Sequence, residues 1–227
     1  MAAVGLSCIE WGSDVHAPAE DTERLHRLAA LQKEYGIECC SYGTYFKFGK
    51  HSVDELEPYI TAAKILGTDI LRLWCGRKCG AEYTAEERQE LIDQCKRASE
   101  IAETHGVTLC MECHEKSYTE RLEDALELMR EVASPRFRMY WQPSQWRSVA
   151  QNLDYASAIA PYTHHVHVFQ WKGKETFSLN EGIAEWRGYL GKLPAPRTLL
   201  LEFMPDGQLT SLSTEADALR NIIGETI

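Results

Sequence analysis

Val107-Thr108-Leu109-Cys110-Met111-Glu112 is an apolar run that ends on a carboxylate. Two other runs share the pattern: His165-Val166-His167 ends on an imidazole, and Leu199-Leu200-Leu201-Glu202 ends on a second carboxylate. A fourth, Arg138-Met139-Tyr140-Trp141, ends on Gln142. A carboxylate at the end of a buried strand is costly unless something pairs with it. One such residue would be satisfied locally. Four potential metal ligands at the ends of successive apolar runs read as one site.

Outward from these runs, the chain alternates strand and helix. Strands are expected over Ser7–Trp11, Ile37–Tyr42, Asp69–Trp74, Val107–Glu112, Phe137–Gln142, Tyr162–Phe169 and Thr198–Phe203. Helical periodicity fills the intervals: Asp21–Tyr35, Val53–Leu66, Thr84–His105, Thr119–Val132, Gln145–Ala160, Glu181–Leu193 and Ser213–Ile223. Thr84 with Glu87 forms a capping-box signature, and Gly36, Gly67 and Gly106 mark helix ends. Regular βα alternation implies a parallel sheet covered by helices. About seven units point to an α/β fold of the TIM-barrel type, in a chain a little shorter than the ~250 residues usual for that fold. No linker or low-complexity stretch divides residues 1–227, so one domain is expected.

Strand alternation predicts convergence. If Glu112 faces the barrel axis, Leu109 and Met111 face the helices. The same choice at Glu202 turns Leu199, Leu201 and Phe203 outward. At His165 and His167 it turns Val166 and Val168 outward, and at Gln142 it turns Met139 and Trp141 outward. The polar set then lies at the carboxyl ends of the strands, where barrel enzymes carry their sites.

The chain has 227 residues, 44% of them hydrophobic, and a formal net charge of −10. No apolar stretch is long enough for a membrane span, and the start lacks the features of a signal peptide. An acidic chain without clustered Lys and Arg argues against a nucleic-acid surface. Eight cysteines fit buried free thiols in a reducing, cytoplasmic compartment. The alternative pairs Cys75-x3-Cys79 with Cys110-x2-Cys113 as a metal site, but neither spacing matches a zinc or cluster pattern.

Two carboxylates, an imidazole and an amide oxygen suit Mn²⁺, Mg²⁺, Co²⁺ or Zn²⁺. A metal would polarise a substrate carbonyl, and a carboxylate on either side could remove and return a proton on carbon. Trp11, His16, Tyr42, Tyr45 and Trp74 are candidate sugar-stacking walls, each also readable as packing. Arg72, inside Leu71-Arg72-Leu73-Trp74, needs a carboxylate or a ligand, with Glu10 and Glu112 as the structural options. His114 and Lys172 lie just past strand ends. His165 is expected to fill the barrel.

Taken together, these segments resemble the xylose-isomerase-like barrel superfamily of sugar-phosphate isomerases and epimerases. The resemblance covers Gly5-Leu6-Ser7-Cys8-Ile9-Glu10-Trp11-Gly12-Ser13-Asp14-Val15-His16, Ser41-Tyr42-Gly43-Thr44-Tyr45, Leu71-Arg72-Leu73-Trp74-Cys75-Gly76, His165-Val166-His167-Val168-Phe169, Leu200-Leu201-Glu202-Phe203 and Asp217-Ala218-x-x-Leu. It implies a divalent metal held at Glu112, Gln142, His167 and Glu202, with Glu112 and Glu202 as the acid–base pair. From their places at the strand ends, Trp11, His16, Tyr42, Arg72, Trp74, His114, Gln145 and Lys172 are the candidate substrate contacts. Two departures stand out. Gln142 occupies the position of the family's usual Asp, and Gln145 that of its usual His. The family's first βα unit has no counterpart before Gly5, so about seven strands are expected, with an exposed barrel edge that a second subunit could cover.

The leading functional expectation is a metal-assisted sugar or sugar-phosphate isomerase or epimerase of carbohydrate metabolism, acting on a small sugar or polyol. The runner-up is a catalytically impaired sugar-binding relative without a working metal site, favoured by Gln142 and Gln145. Apurinic endonuclease activity, also found in the superfamily, is disfavoured by the acidic charge and the single site.

Overall fold

The computed structural model describes residues 1–193 and 198–224. Strand and helix alternate as β1 (Cys8–Gly12), α1 (Thr22–Tyr35), β2 (Glu38–Phe48), α2 (Leu56–Leu66), β3 (Ile70–Cys75), α3 (Ala85–His105), β4 (Thr108–Glu112), α4 (Leu122–Val132), β5 (Phe137–Trp141), α5 (Val149–Ile159) and β6 (Thr163–Val168). A short hairpin follows, β7 (Gln170–Lys172) and β8 (Glu175–Phe177), then α6 (Ile183–Lys192), β9 (Thr198–Leu201) and α7 (Leu212–Ile223). Among the described residues, seven strands form one sheet in the order β1-β2-β3-β4-β5-β6-β9, and β7 pairs with β8 in a separate antiparallel ribbon. This is an α/β fold of the TIM-barrel type with seven strands, the number the alternation predicts. Among the described residues no helix is long and apolar enough to cross a membrane.

The chain divides into two compact units, Cys8–Tyr140 and the pair of segments Met1–Ser7 with Trp141–Ile227. In Cys8–Tyr140 the parallel registers align alternate residues of neighbouring strands. Gly43 pairs with Arg72, Arg72 with Cys110, and Glu112 with Tyr140. Because side chains alternate across a sheet, Arg72, Trp74, Cys110, Glu112 and Tyr140 share one face. Leu71, Leu73, Leu109, Met111 and Met139 lie on the other and are fully buried, as the alternation predicts for Leu109, Met111 and Met139. In the second unit His167 pairs with Leu200 and Val168 with Leu201. Its core is aromatic: Trp141 lies 6.2 Å from Trp186 and 5.5 Å from Tyr189, ring centre to ring centre.

Several boundaries differ from the sequence reading, each for a local reason. β2 runs on to Phe48 rather than stopping at Tyr42. α4 starts at Leu122, not Thr119, because the intervening hydroxyls are engaged elsewhere. Thr119 donates to the Glu112 carbonyl at 2.5 Å and Ser117 to that of His114 at 2.5 Å. α5 starts at Val149 because Ser148 and Gln151 form a capping box there. Residues 170–177, expected as loop, form the β7–β8 hairpin around Gly173, whose φ of 59° suits glycine. The eight cysteines form no disulfide among the described residues. Among the described residues no group of three or more potential ligands includes a cysteine, so Cys75, Cys79, Cys110 and Cys113 do not assemble a metal site.

At the start of α3, the Thr84 hydroxyl accepts from the Glu87 amide at 3.2 Å, and the Glu87 carboxylate accepts from the Thr84 amide at 2.9 Å. Thr84→Ala is expected to destabilise the protein by about 1 kcal/mol, measured by urea denaturation.

Candidate active site

The Cys8–Tyr140 unit carries a buried charge network at the carboxyl end of its strands. Glu112 closes β4 and its side chain is only 3% exposed. The Arg72 guanidinium and the Trp74 indole N–H both donate to its Oε2. Arg72 also donates from Nε to Glu10 Oε1 at 2.8 Å. Glu10 in turn accepts from the Ser41 hydroxyl, and Ser41 Oγ lies 3.4 Å from the Tyr140 hydroxyl. Burial, and then the Glu10 charge, push Tyr140 well above its ordinary pKa, so it stays a neutral hydroxyl. A buried arginine held by two carboxylates is the arrangement buried charge requires.

Glycine makes this reach possible. β2 lies between the strands that carry Glu10 and Arg72, and Gly43 sits at the crossing point. A Cβ there would lie 2.7 Å from Arg72 Nη2 and 2.7 Å from Glu10 Oε1.

Aromatic groups flank Glu112. The His114 ring stacks on Trp74 at 4.8 Å, with planes 24° apart. Tyr45, about half exposed, approaches Trp74 at 5.7 Å. Its hydroxyl is pushed above its ordinary pKa by burial and then by Asp14.

The second unit holds its own cluster. His167, on β6, is buried. Its Nδ1 lies 3.0 Å from Gln142 Oε1 and 3.4 Å from Glu202 Oε2. Glu202 follows β9 directly, and its amide donates to the Val168 carbonyl at 3.2 Å. An imidazole nitrogen, an amide oxygen and a carboxylate oxygen thus converge. That donor set suits a divalent ion of the Mg²⁺, Mn²⁺, Co²⁺ or Zn²⁺ type.

The other candidates fall in varied places. Trp11 donates to Gln32 at 2.6 Å, with the exposed His16 ring 6.3 Å away. Tyr42 is fully buried, its hydroxyl tied to the Ala17 carbonyl, so its ring is core. Gln145 and Lys172 both line a cavity of about 340 Å³ in the second unit. Lys172 lies on the exposed hairpin, not in a loop, and pairs with Glu185 at 3.0 Å. His165 is buried beside His164, ring centres 4.7 Å apart. Phe203, expected to pack outward against helices, is 43% exposed and lies against Phe169 and Trp171. The sequence reading missed Ser41, the Tyr140 hydroxyl and the role of Gly43. Arg72 was the one signal that could have led to them, since a guanidinium in an apolar strand demands partners on its neighbours.

A family profile described as the xylose isomerase-like TIM barrel matches residues 1–221. The chain is similar to a 3-dehydroshikimate dehydratase of Bacillus anthracis, with 26% identity over 173 residues, covering 72% of this chain and 61% of that enzyme. Among solved structures, the probable 3-DHS dehydratase AsbF of Bacillus anthracis superposes with a TM-score of 0.82 at 20% identity, over 97% of this chain and 90% of that one. L-ribulose 3-epimerase gives 0.67 at 16%, over 98% and 84%. IOLI protein with a bound zinc gives 0.72 at 14%, over 100% and 91%. These structural likenesses establish the fold.

Gly43→Ala is expected to cost about 1–3 kcal/mol, as overpacking does in a filled interior, read from the urea midpoint. Gly191→Ala is the control. No atom lies within 4 Å of a Cβ built at this α6 position, so it should stabilise by about 0.5–1 kcal/mol.

Proposed function

Since the chain belongs to the xylose isomerase-like TIM barrel family, we propose that it catalyses proton transfer at a carbon next to a carbonyl in a small sugar or polyol, as an isomerase or epimerase. Glu112 and Glu202 act as the acid–base pair. The observation that carries this reading is the fixed carboxylate of Glu112, whose Oε2 accepts from both Arg72 and Trp74. That grip sets the carboxyl's orientation, and an oriented carboxylate is the base this reading assigns.

Glu112, Gln142, His167 and Glu202 would hold a divalent ion. The support is the convergence of Gln142, His167 and Glu202 oxygen and nitrogen atoms described above. When bound, such an ion supplies Lewis acidity to the substrate carbonyl. Gln142 contributes a neutral amide oxygen, so this ligand set carries one negative charge fewer than a set with Asp. Trp11, His16, His114, Gln145 and Lys172 are proposed as substrate contacts, within one catalytic domain of residues 1–227. Eight cysteines outside any disulfide fit work in the cytoplasm.

The similarity to a 3-dehydroshikimate dehydratase favours a second outcome of the same first step. Proton removal beside a carbonyl can be followed by return of the proton, which gives epimerisation or isomerisation. It can instead be followed by loss of a β-hydroxyl as water, which gives dehydration.

The test is elemental analysis of the purified protein, with solvent deuterium exchange into a panel of ketoses, keto-polyols and 3-dehydroshikimate. About one ion per chain and exchange with at least one substrate are expected. Glu112→Gln and Glu202→Gln should each lower exchange by about a hundredfold or more. Gln142→Asp should tighten metal binding, on the order of tenfold. Absence of both metal and exchange would sink the reading. Activity gained only on Gln142→Asp would favour a sugar-binding protein instead.

A further inference from the structure

β2 and β3 do not stay in step. Gly43 pairs with Arg72, but the next paired residues are Lys47 and Trp74. Four residues of β2 therefore span two of β3. The Thr44 hydroxyl fills the irregularity, donating to the Arg72 carbonyl at 2.8 Å and accepting from the Phe46 amide at 3.3 Å. A regular strand would have paired Tyr45 with Trp74 in the ladder. The insertion pairs Lys47 with it instead, with Nζ 4.2 Å from the centre of the Trp74 ring, while the Tyr45 ring lies 5.7 Å away. Trp74 donates to Glu112, so the bulge brings an ammonium to the side of the proposed base.

That ammonium differs from the other cation of the network. Arg72 is spent on Glu10 and Glu112. Lys47 is half-buried, and among the described residues no carboxylate lies within ion-pair distance of it. Its neighbours are Trp74, the backbone-bonded His51, Lys50 and, at longer range, Glu112. Burial, and then Lys50, lower its pKa, as befits an ammonium with no close counter-charge. A half-buried cation needs a compensating anion, and a ring face compensates only in part.

We infer that Lys47 binds an anionic oxygen group of the substrate, a carboxylate or a phosphate, beside Glu112. The inference rests on the proton-transfer reading for its location and names the substrate class: a charged keto compound rather than a neutral sugar.

Equilibrium binding separates the two claims, because it needs no turnover. The probes are 3-dehydroshikimate for a carboxylate, D-tagatose 6-phosphate for a phosphate and D-tagatose as the neutral compound, each titrated into wild type, Lys47→Met and Lys47→Arg. Lys47→Met should weaken binding of one anionic probe by about ten- to a hundredfold and leave D-tagatose unchanged. Lys47→Arg should restore most of the loss. The probe that responds identifies the anion. In turnover the loss should fall on KM and not on kcat. Such binding without proton exchange would support Lys47 while overturning the proton-transfer reading. The inference fails if wild type binds neither anion, if Lys47→Met binds all three probes as wild type does, or if it loses the neutral probe equally. Exchange into D-tagatose alone, unaffected by Lys47→Met, would leave the proton-transfer reading standing and remove this one.

Discussion

The Arg72 guanidinium is the interaction on which the Cys8–Tyr140 unit is organised. It is only 11% exposed, and its two partners, Glu10 and Glu112, are 13% and 3% exposed. Removing one member of such a set leaves charge buried without compensation, at a cost of about 3–5 kcal/mol. The fork geometry of a guanidinium lets it donate in two directions at once, so it binds the first strand to the fourth. Ser41 and Trp74 satisfy further lone pairs of the same carboxylates. The carboxyl at the end of β4 is consequently a fixed object, which proton transfer at a defined carbon demands.

His167 organises its own unit in a different way. It is buried, and its Nδ1 is turned toward two oxygens, one neutral and one acidic. Gln142 differs from an aspartate in charge and by one methylene, while both present an sp² oxygen. An amide leaves the orientation of the imidazole under hydrogen-bond control while reducing the local negative potential.

Much of this was legible in the sequence. The strand–helix order, the seven strands and the Thr84 cap follow from periodicity and local capping chemistry, which depend on near neighbours. Residues 142, 167 and 202 were legible as a group because each follows an apolar run. Other features were not, because their cause is distant in sequence. The hydroxyls of Ser117 and Thr119 delay α4 by closing the turn after β4, and the sequence shows only hydroxyls near a helix start. The bulge that sets Lys47 opposite Trp74 depends on pairing with another strand. Tyr42 looked like a wall residue, but its hydroxyl turns to the Ala17 carbonyl, a contact no periodicity announces.

Gly43 has a consequence for how such a site is mapped. It carries no functional group, yet the Arg72–Glu10 ion pair, whose arginine also holds Glu112, passes through the space a methyl would fill. A saturation screen that scored only loss of activity would place position 43 among the chemical residues. Only a parallel readout of folding would separate it from them. In this sheet, the space one residue leaves empty is as specific a requirement as the charges on either side of it.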